Sequence, residues 1–222
     1  MATFRKNWLQ WLVHLAALAP LAWLIWDYAN QNLSINPIQD ITSRTGKPAI
    51  ILLVLSLACT PINTVFGLKR VIAFRKPLGL YAFLYVSLHL LTFGVLDYQL
   101  DWGLISEAIT EKRFVLVGFT AFLLLVPLAI TSTKGWQKRL GKNWKQLHKL
   151  VYLIAPLAVL HYVWLVKADI RQPLLFGAVV ALLLLLRVPA VRRAIATMRS
   201  RMFPKPALKA ATAPLPQRTP DM

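Results

Sequence analysis

Long apolar segments alternate with short polar segments along most of the chain. Six of the apolar segments approach the roughly 20 residues that an α-helix needs to cross the ~30 Å hydrocarbon core of a bilayer. Their apolar residues form continuous blocks, whereas the strands of a membrane β-barrel alternate between apolar and polar residues. The pattern therefore predicts an all-α bundle of six transmembrane helices, over residues 8–28, 48–66, 77–96, 114–131, 148–166 and 173–188.

Polar stretches and prolines mark the ends of the predicted helices. Residues 30–47 are polar and are interpreted as a loop. The first apolar segment follows two basic residues, as in a signal peptide, but it is long enough to span the membrane, so we expect a retained helix. A proline begins three of the later helices, where its missing N–H costs no hydrogen bond: Pro48, Pro77 and Pro173.

Composition agrees with a membrane protein. Hydrophobic residues make up 57% of the 222 residues and charged residues 15%, whereas a soluble domain carries about a quarter of charged residues. The excess of apolar side chains must therefore face lipid. We assign residues 1–203 to one transmembrane domain and the Pro- and Ala-rich residues 204–222 to a disordered cytoplasmic tail.

The net charge of +18 is sorted between alternate loops. Basic residues are concentrated at the N-terminus, around residues 67–76 and 132–149, and after residue 186. The intervening loops carry most of the acids: Asp40, Asp97, Asp101, Glu107, Glu111 and Asp169. Because basic loops favour the cytoplasm, both termini are predicted to be cytoplasmic, and the charge requires no nucleic-acid partner. A second interpretation is that the basic face docks an anionic flavin cofactor or an acidic partner.

Polar side chains within the predicted spans carry the candidate chemistry, because they are costly in a bilayer and tend to be functional. His89 lies about 18 Å into the third helix, counted from Pro77, and His161 lies about 20 Å into the fifth, counted from His148. These helices run in the same direction, so both histidines reach the same depth, past the middle of the membrane. Two facing neutral imidazoles suit haem iron; otherwise His89 and His161 are packed, hydrogen-bonded residues.

The other two histidines lie nearer the cytoplasmic side. His148 is at the level of Arg75, where it is either a ligand of a second haem or an interfacial histidine bonded to headgroups or loop carbonyls. In an ideal helix His148 and His161 lie on different faces, because their separation makes about 3.6 turns. Pro156 lies between them and kinks the helix, with an effect on this phase that stays open. His14, in the first helix, is interpreted as structural in preference to a ligand.

Other classes of membrane protein need residues that the predicted spans lack. A cation or metabolite transporter needs acidic or polar residues at mid-membrane, and the spans contain almost none. An intramembrane protease needs a serine–histidine or paired-aspartate arrangement. Ser87 lies near His89, but the spans contain no Gly-x-Ser motif and no pair of aspartates. Neither class therefore fits the predicted spans.

Two stretches of the sequence resemble helices of the ferric-reductase-like transmembrane superfamily. Residues 75–81 (RKPLGLY) with 87–89 (SLH) resemble its third helix, and residues 140–152 (LGKNWKQLHKLVY) with 161–162 (HY) resemble its fifth. Within the superfamily the sequence is most similar to the haem-binding membrane subunits of bacterial periplasmic methionine-sulfoxide reductase systems. The resemblance covers nearly the whole chain except the tail.

The resemblance implies specific cofactor ligands. The superfamily binds two stacked haems through two histidines on each of two helices, which implies b-type haem on His89 and His161. Arg75 stands where a fourth histidine is expected. A second haem on His148 therefore needs Arg75, His14, water or no group as its other ligand. Arg75 is also implied to contact haem propionates or the phosphate of bound FMN.

The resemblance also implies partners. Electrons are expected from the quinone pool or a cytoplasmic flavin reductase, since the chain has no Gly-rich dinucleotide loop of its own. The acceptor is a periplasmic molybdopterin-dependent reductase that repairs methionine sulfoxide in envelope proteins and holds the catalytic site. The chain is then expected in the bacterial inner membrane, with Trp102 and the acidic loop 97–111 as a docking surface. The alternative is a metalloreductase of the same superfamily that reduces ferric or cupric ions directly.

Overall fold

A computed structural model describes residues 2–166 and 168–202, and the tail predicted over 204–222 lies outside these residues. The described part is helical and has no β-strand. A π-helical turn, Thr92–Asp97, follows α3, and 3₁₀ turns occupy Lys69–Phe74 and His148–Leu150. The α-helices are α1 (Ala2–Ala29), α2 (Pro37–Phe66), α3 (Arg75–Leu91), α4 (Trp102–Glu111), α5 (Arg113–Ile130), α6 (Lys134–Leu140), α7 (Lys142–Leu147), α8 (Val151–Leu165), α9 (Arg171–Leu185) and α10 (Pro189–Met202).

Among the described residues, five helical segments are long and apolar enough to cross a membrane, which confirms the predicted helical membrane fold. The sixth predicted span differs in form. It is a 15-residue helix, α9, that is bent by 77° from α10. Pro189 begins α10, and a proline cannot continue the hydrogen-bond ladder of a preceding helix, which accounts for the break. The pair counts as a sixth span only if it is taken as one bent segment.

The second helix begins earlier than predicted, so the interpretation of residues 30–47 as a loop is wrong over most of its length. The side chain of Asn36 accepts a hydrogen bond from the backbone N–H of Gln39, at 3.1 Å, and Pro37 occupies the first turn. Pro48 therefore lies inside α2 and does not begin it. The polar first turns of α2 become important for the candidate site.

Two helix pairs form the centre of the bundle, α2 with α3 and α5 with α8. The fully buried side chain of Tyr85, on α3, also joins these helices to α1. Its hydroxyl donates to the carbonyl of Ala17, at 2.8 Å, and accepts from the N–H of Leu21, at 3.0 Å. The hydroxyl thus stands between two groups that an uninterrupted helix pairs with each other, one residue from Pro20.

Polar side chains also satisfy backbone groups that prolines leave unpaired. Pro61 has no N–H to donate to the carbonyl of Leu57, one turn earlier in α2. The guanidinium of Arg187 donates to this carbonyl and to the hydroxyl of Tyr152, the latter at 2.8 Å. Such replacement bonds allow prolines inside helices that lie in lipid. The outer faces are apolar and exposed, as for Trp23 at 69%.

Candidate functional site

His89 on α3 and His161 on α8 lie next to each other inside the bundle. Their ring centroids are 6.2 Å apart and the ring planes are nearly perpendicular, at 88°. Both side chains are half-buried. The structure thus brings together the two histidines that the sequence places at equal depth.

Each of these rings is held by a backbone carbonyl of a neighbouring helix. The Nδ1–H of His89 donates to the carbonyl of Thr42 at 3.0 Å, and that of His161 donates to the carbonyl of Phe114 at 2.7 Å. Because a carbonyl only accepts, Nδ1 must carry the proton in both rings. Nε2 is then the basic nitrogen of each neutral imidazole, and in the described part of the chain neither Nε2 has a hydrogen-bond partner.

Two glycines provide the space for the imidazoles. A methyl group at Gly118 would lie 2.5 Å from Nδ1 and 2.8 Å from Cε1 of His161. At Gly46 it would lie 3.1 Å and 3.2 Å from the same atoms of His89. The rings therefore lie directly against the backbones of α5 and α2, which restricts their rotation.

This geometry fits a metal bound between two imidazoles. Bonds of about 2 Å from a metal to each nitrogen place the two ring centroids about 6 Å apart. The observed 6.2 Å between His89 and His161 agrees with this spacing. A bis-histidine haem site would take one nitrogen from each ring, while the other nitrogen of each ring is held by a hydrogen bond, as here.

The hydrogen bonding of His148 differs from that of His89 and His161. The hydroxyl of Thr131 donates to the carbonyl of Pro127 at 2.6 Å, so its oxygen can only accept from Nε2 of His148, at 3.1 Å. The ring also stacks on Trp144, with centroids 4.1 Å apart. In this arrangement Nε2 of His148 is a donor, and only Nδ1 remains to bind iron.

The structure brings Arg75 and His148 to the same crevice, with a volume of about 240 Å³. Lys76 and Trp144 line it as well, so basic and aromatic side chains join walls that are otherwise mostly apolar. His14 is not among the lining residues. Its Nδ1 lies 2.9 Å from the hydroxyl of Tyr81, in a bond that joins α1 to α3.

His148 and His161 both contact α5, although an ideal helix would place them on different faces. His161 bonds to Phe114 at one end of α5 and His148 to Thr131 at the other, about 25 Å along the axis. The segment between them is not an ideal helix, since a 3₁₀ turn with fewer residues per turn occupies His148–Leu150 and Pro156 lies inside α8.

The acidic loop forms an amphipathic helix. Asp101 caps α4, accepting from the N–H of Leu104 at 3.1 Å, and Trp102 is 76% exposed. Gln99 and Leu100 have positive φ angles of 50° and 62°, which bulky residues rarely adopt. The loop therefore presents an apolar side chain among acidic ones.

The fold and the histidine pair define a class, the helical membrane proteins with an intramembrane bis-imidazole site. A model of the family described as "Ferric reductase like transmembrane component" matches residues 45–159. The chain is 46% identical over 185 residues to the "Protein-methionine-sulfoxide reductase heme-binding subunit MsrQ" of Xanthomonas axonopodis pv. citri, covering 83% of this chain and 85% of the relative. It therefore belongs to the MsrQ family of ferric-reductase-like multi-pass membrane proteins.

Two further relatives carry the same name. The one from Xanthomonas campestris pv. campestris strain 8004 is 49% identical over 169 residues, which cover 75% of this chain and 78% of the relative. The one from Caulobacter vibrioides is 45% identical over 172 residues, which cover 77% and 82%. The matches thus extend over most of both chains.

Proposed function

We propose that this chain is the b-type haem-binding, electron-transfer subunit of a methionine-sulfoxide reductase, with His89 and His161 as the axial ligands of the iron. The observation that carries the proposal is the adjacent pair of imidazoles, each bonded through Nδ1 to a carbonyl and with Nε2 unpartnered in the described part of the chain. The names of the three relatives support the same function.

The residues around His89 and His161 fix the tautomer and the orientation of both imidazoles. The carbonyls of Thr42 and Phe114 select the neutral tautomer with a basic Nε2 and increase its strength as a donor to metal. The two glycines hold the ring planes. When bound, haem supplies an iron that takes up and releases single electrons.

The proposed direction of electron flow follows the charge of the loops. We place both termini and the basic loops in the cytoplasm of a bacterial cell and the chain in its inner membrane. His161 lies near the end of α8, so the pair is then closer to the periplasm. The donor is the quinone pool or a flavin reductase, the acceptor a periplasmic molybdopterin-dependent reductase, and Trp102 marks the docking surface.

The crevice at Arg75 and His148 is the proposed cytoplasmic entry point. Its basic side chains suit haem propionates or the phosphate of FMN. A second haem there requires Nδ1 of His148 as its ligand, or a ring rotation that breaks the bond to Thr131. Quantifying haem and flavin per chain distinguishes a second haem from FMN as the occupant of the crevice.

A direct metalloreductase remains the second candidate function, because it uses the same histidine pair and belongs to the same family. The two functions differ in their acceptor. Reduced protein that is reoxidised by ferric citrate or cupric ions alone supports the metalloreductase. Reoxidation that needs both the periplasmic reductase and a methionine sulfoxide supports the proposed function.

The first experiment is the visible spectrum of the purified protein, oxidised and dithionite-reduced, with haem quantified. We expect a low-spin b-type spectrum that is lost or becomes high-spin in His89→Ala and in His161→Ala. His14→Ala is the matched control, since His14 bonds to Tyr81 away from the pair, and it should keep the spectrum. Wild-type protein that is folded but colourless when haem is supplied refutes the proposal.

A further inference from the structure

Arg44 makes a pair of ionic contacts at the first turns of α2. Its guanidinium donates to the carboxylate of Asp27 on α1, and its Nε donates to the carboxylate of Asp40 at 2.9 Å. Asp27 is buried, at 8% exposure. The other oxygen of Asp40 accepts from the N–H of Ser34 at 3.2 Å, in the segment between α1 and α2. We call Asp27, Asp40 and Arg44 the Arg44 clamp.

Two residues of the clamp flank the carbonyl that bonds to the imidazole of His89. Thr42, whose carbonyl accepts from Nδ1 of His89, lies between Asp40 and Arg44 on the same helical turn. Gly46, which lies against the same imidazole, follows two residues after Arg44. The ionic contacts and the ligand contacts therefore share one segment of backbone, residues 40–46.

Residues 40–46 lack part of the backbone hydrogen bonding that an uninterrupted helix provides. Pro48 cannot donate to the carbonyl of Arg44, so α2 lacks one hydrogen bond across these residues. Gly46 adds conformational freedom at the same point. Within α2 the hydroxyl of Thr45 donates to the Thr42 carbonyl at 3.0 Å, and the clamp adds a contact from α1 to the same turn.

In the described part of the chain, the carbonyl that holds His161 has no comparable ionic contacts beside it. The described residues contain two ion pairs, and both involve Arg44. The carbonyl that holds His161 belongs to Phe114, at the start of α5, where no ion pair of the described chain is found. The two halves of the site are therefore supported differently.

We infer that Arg44 is a positioning residue for the proposed haem: by linking α1 to the turn that carries Thr42 and Gly46, it sets the plane of the His89 imidazole. The inference rests on the proposed ligation of iron by His89. When haem is bound, the orientation of the His89 imidazole would affect how its nitrogen overlaps with the iron orbitals, so the clamp would also influence the electronic state of the ferric haem.

Two substitutions separate positioning from simple charge. Arg44→Gln and Asp27→Ala both break the link between α1 and α2. They change the local charge in opposite directions, since one removes a positive and the other a negative group. A purely electrostatic effect therefore shifts the midpoint potential of the haem in opposite directions. A positioning effect changes the electron paramagnetic resonance g values of the low-spin ferric haem in the same direction in both variants.

The experiment measures the g values, the midpoint potential and the rate of haem loss to an apoprotein acceptor for both variants, Arg44→Lys and a matched control. Lysine keeps the charge but cannot bridge two carboxylates in the same planar geometry, so we expect a partial change. The control is Arg187→Gln, which removes arginine hydrogen bonds near the other end of α2. We expect shifted g values and several-fold faster haem loss in Arg44→Gln and Asp27→Ala, and a wild-type signal in the control.

Two results overturn the inference. The first is a wild-type g tensor in Arg44→Gln and Asp27→Ala, even where thermal stability falls, because the clamp is then structural only. The second is a pair of opposite shifts in potential with unchanged g values, which indicates charge alone. Wild-type protein without a low-spin signal refutes the proposed haem site itself, so the two failures are distinguishable.

Discussion

The glycine beside His161 allows the sharpest test of how the site is built. In Gly118→Ala the new methyl group would lie 2.5 Å from Nδ1 of the imidazole, whereas ordinary contact begins near 3.4 Å, so the ring must move by about 0.9 Å. Gly118 and Phe114 lie one turn apart on α5, and the ring moves away from both. The hydrogen bond to the Phe114 carbonyl lengthens from 2.7 Å toward about 3.6 Å, beyond the hydrogen-bonding range.

The size of the effect follows from these contacts. Overpacking costs about 1–3 kcal/mol, and the lost hydrogen bond adds about 1 kcal/mol. Gly46→Ala is the graded comparison, because its methyl group lies 3.1 Å from Nδ1 of His89 and requires a shift of only about 0.3 Å. Gly135→Ala is the neutral control, since no atom lies within 4 Å of the added carbon.

The assay is the low-spin absorption spectrum, with haem retained per chain and thermal unfolding in detergent. We expect Gly118→Ala to lose haem or become high-spin, Gly46→Ala to keep a weakened low-spin signal, and Gly135→Ala to match the wild type. A wild-type spectrum in Gly118→Ala, or a stronger effect in Gly46→Ala, contradicts the close packing of the rings against α5 and α2.

Two further predictions concern stability. Tyr85→Phe removes both bonds that the hydroxyl makes to the backbone of α1, so the free energy of unfolding should fall by about 1–3 kcal/mol while the haem spectrum is kept; an unchanged melting temperature contradicts it. Haem that binds only the folded protein stabilises it by about 2.7 kcal/mol at a free concentration 100 times its dissociation constant. Added haem should therefore raise the melting temperature of haem-depleted wild type but not of His89→Ala, and an equal rise in both contradicts specific ligation.

The pairing of His89 with His161 was accessible from the sequence because a helix advances by a constant distance per residue. Two histidines at similar distances from the start of two helices that run in parallel reach the same depth. The argument needs only the helix ends and the direction of each span. It does not give the orientation of either ring, which depends on what lies beside it.

The partners of these rings were not accessible, because they come from distant parts of the chain. Thr42 precedes His89 by 47 residues, and Phe114 precedes His161 by the same number. Thr42 lies in the stretch that its polar composition marked as a loop. One side-chain bond from Asn36 extends α2 over that stretch and gives it a fixed carbonyl. A signal was present in the Asn-Pro pair, which is typical of a helix start.

The histidines differ in which ring nitrogen their hydrogen bonds occupy, a property that depth in the membrane does not give. His89 and His161 donate through Nδ1 to carbonyls, so each has a basic Nε2. His148 donates through Nε2, because the hydroxyl of Thr131 has given its only proton to the carbonyl of Pro127. A haem iron held by His148 would therefore have to bind Nδ1 or displace the bond to Thr131. Under the proposed function, His89 and His161 would take haem through Nε2 with their present hydrogen bonds intact, whereas His148 would keep its bond to Thr131 only if it used Nδ1.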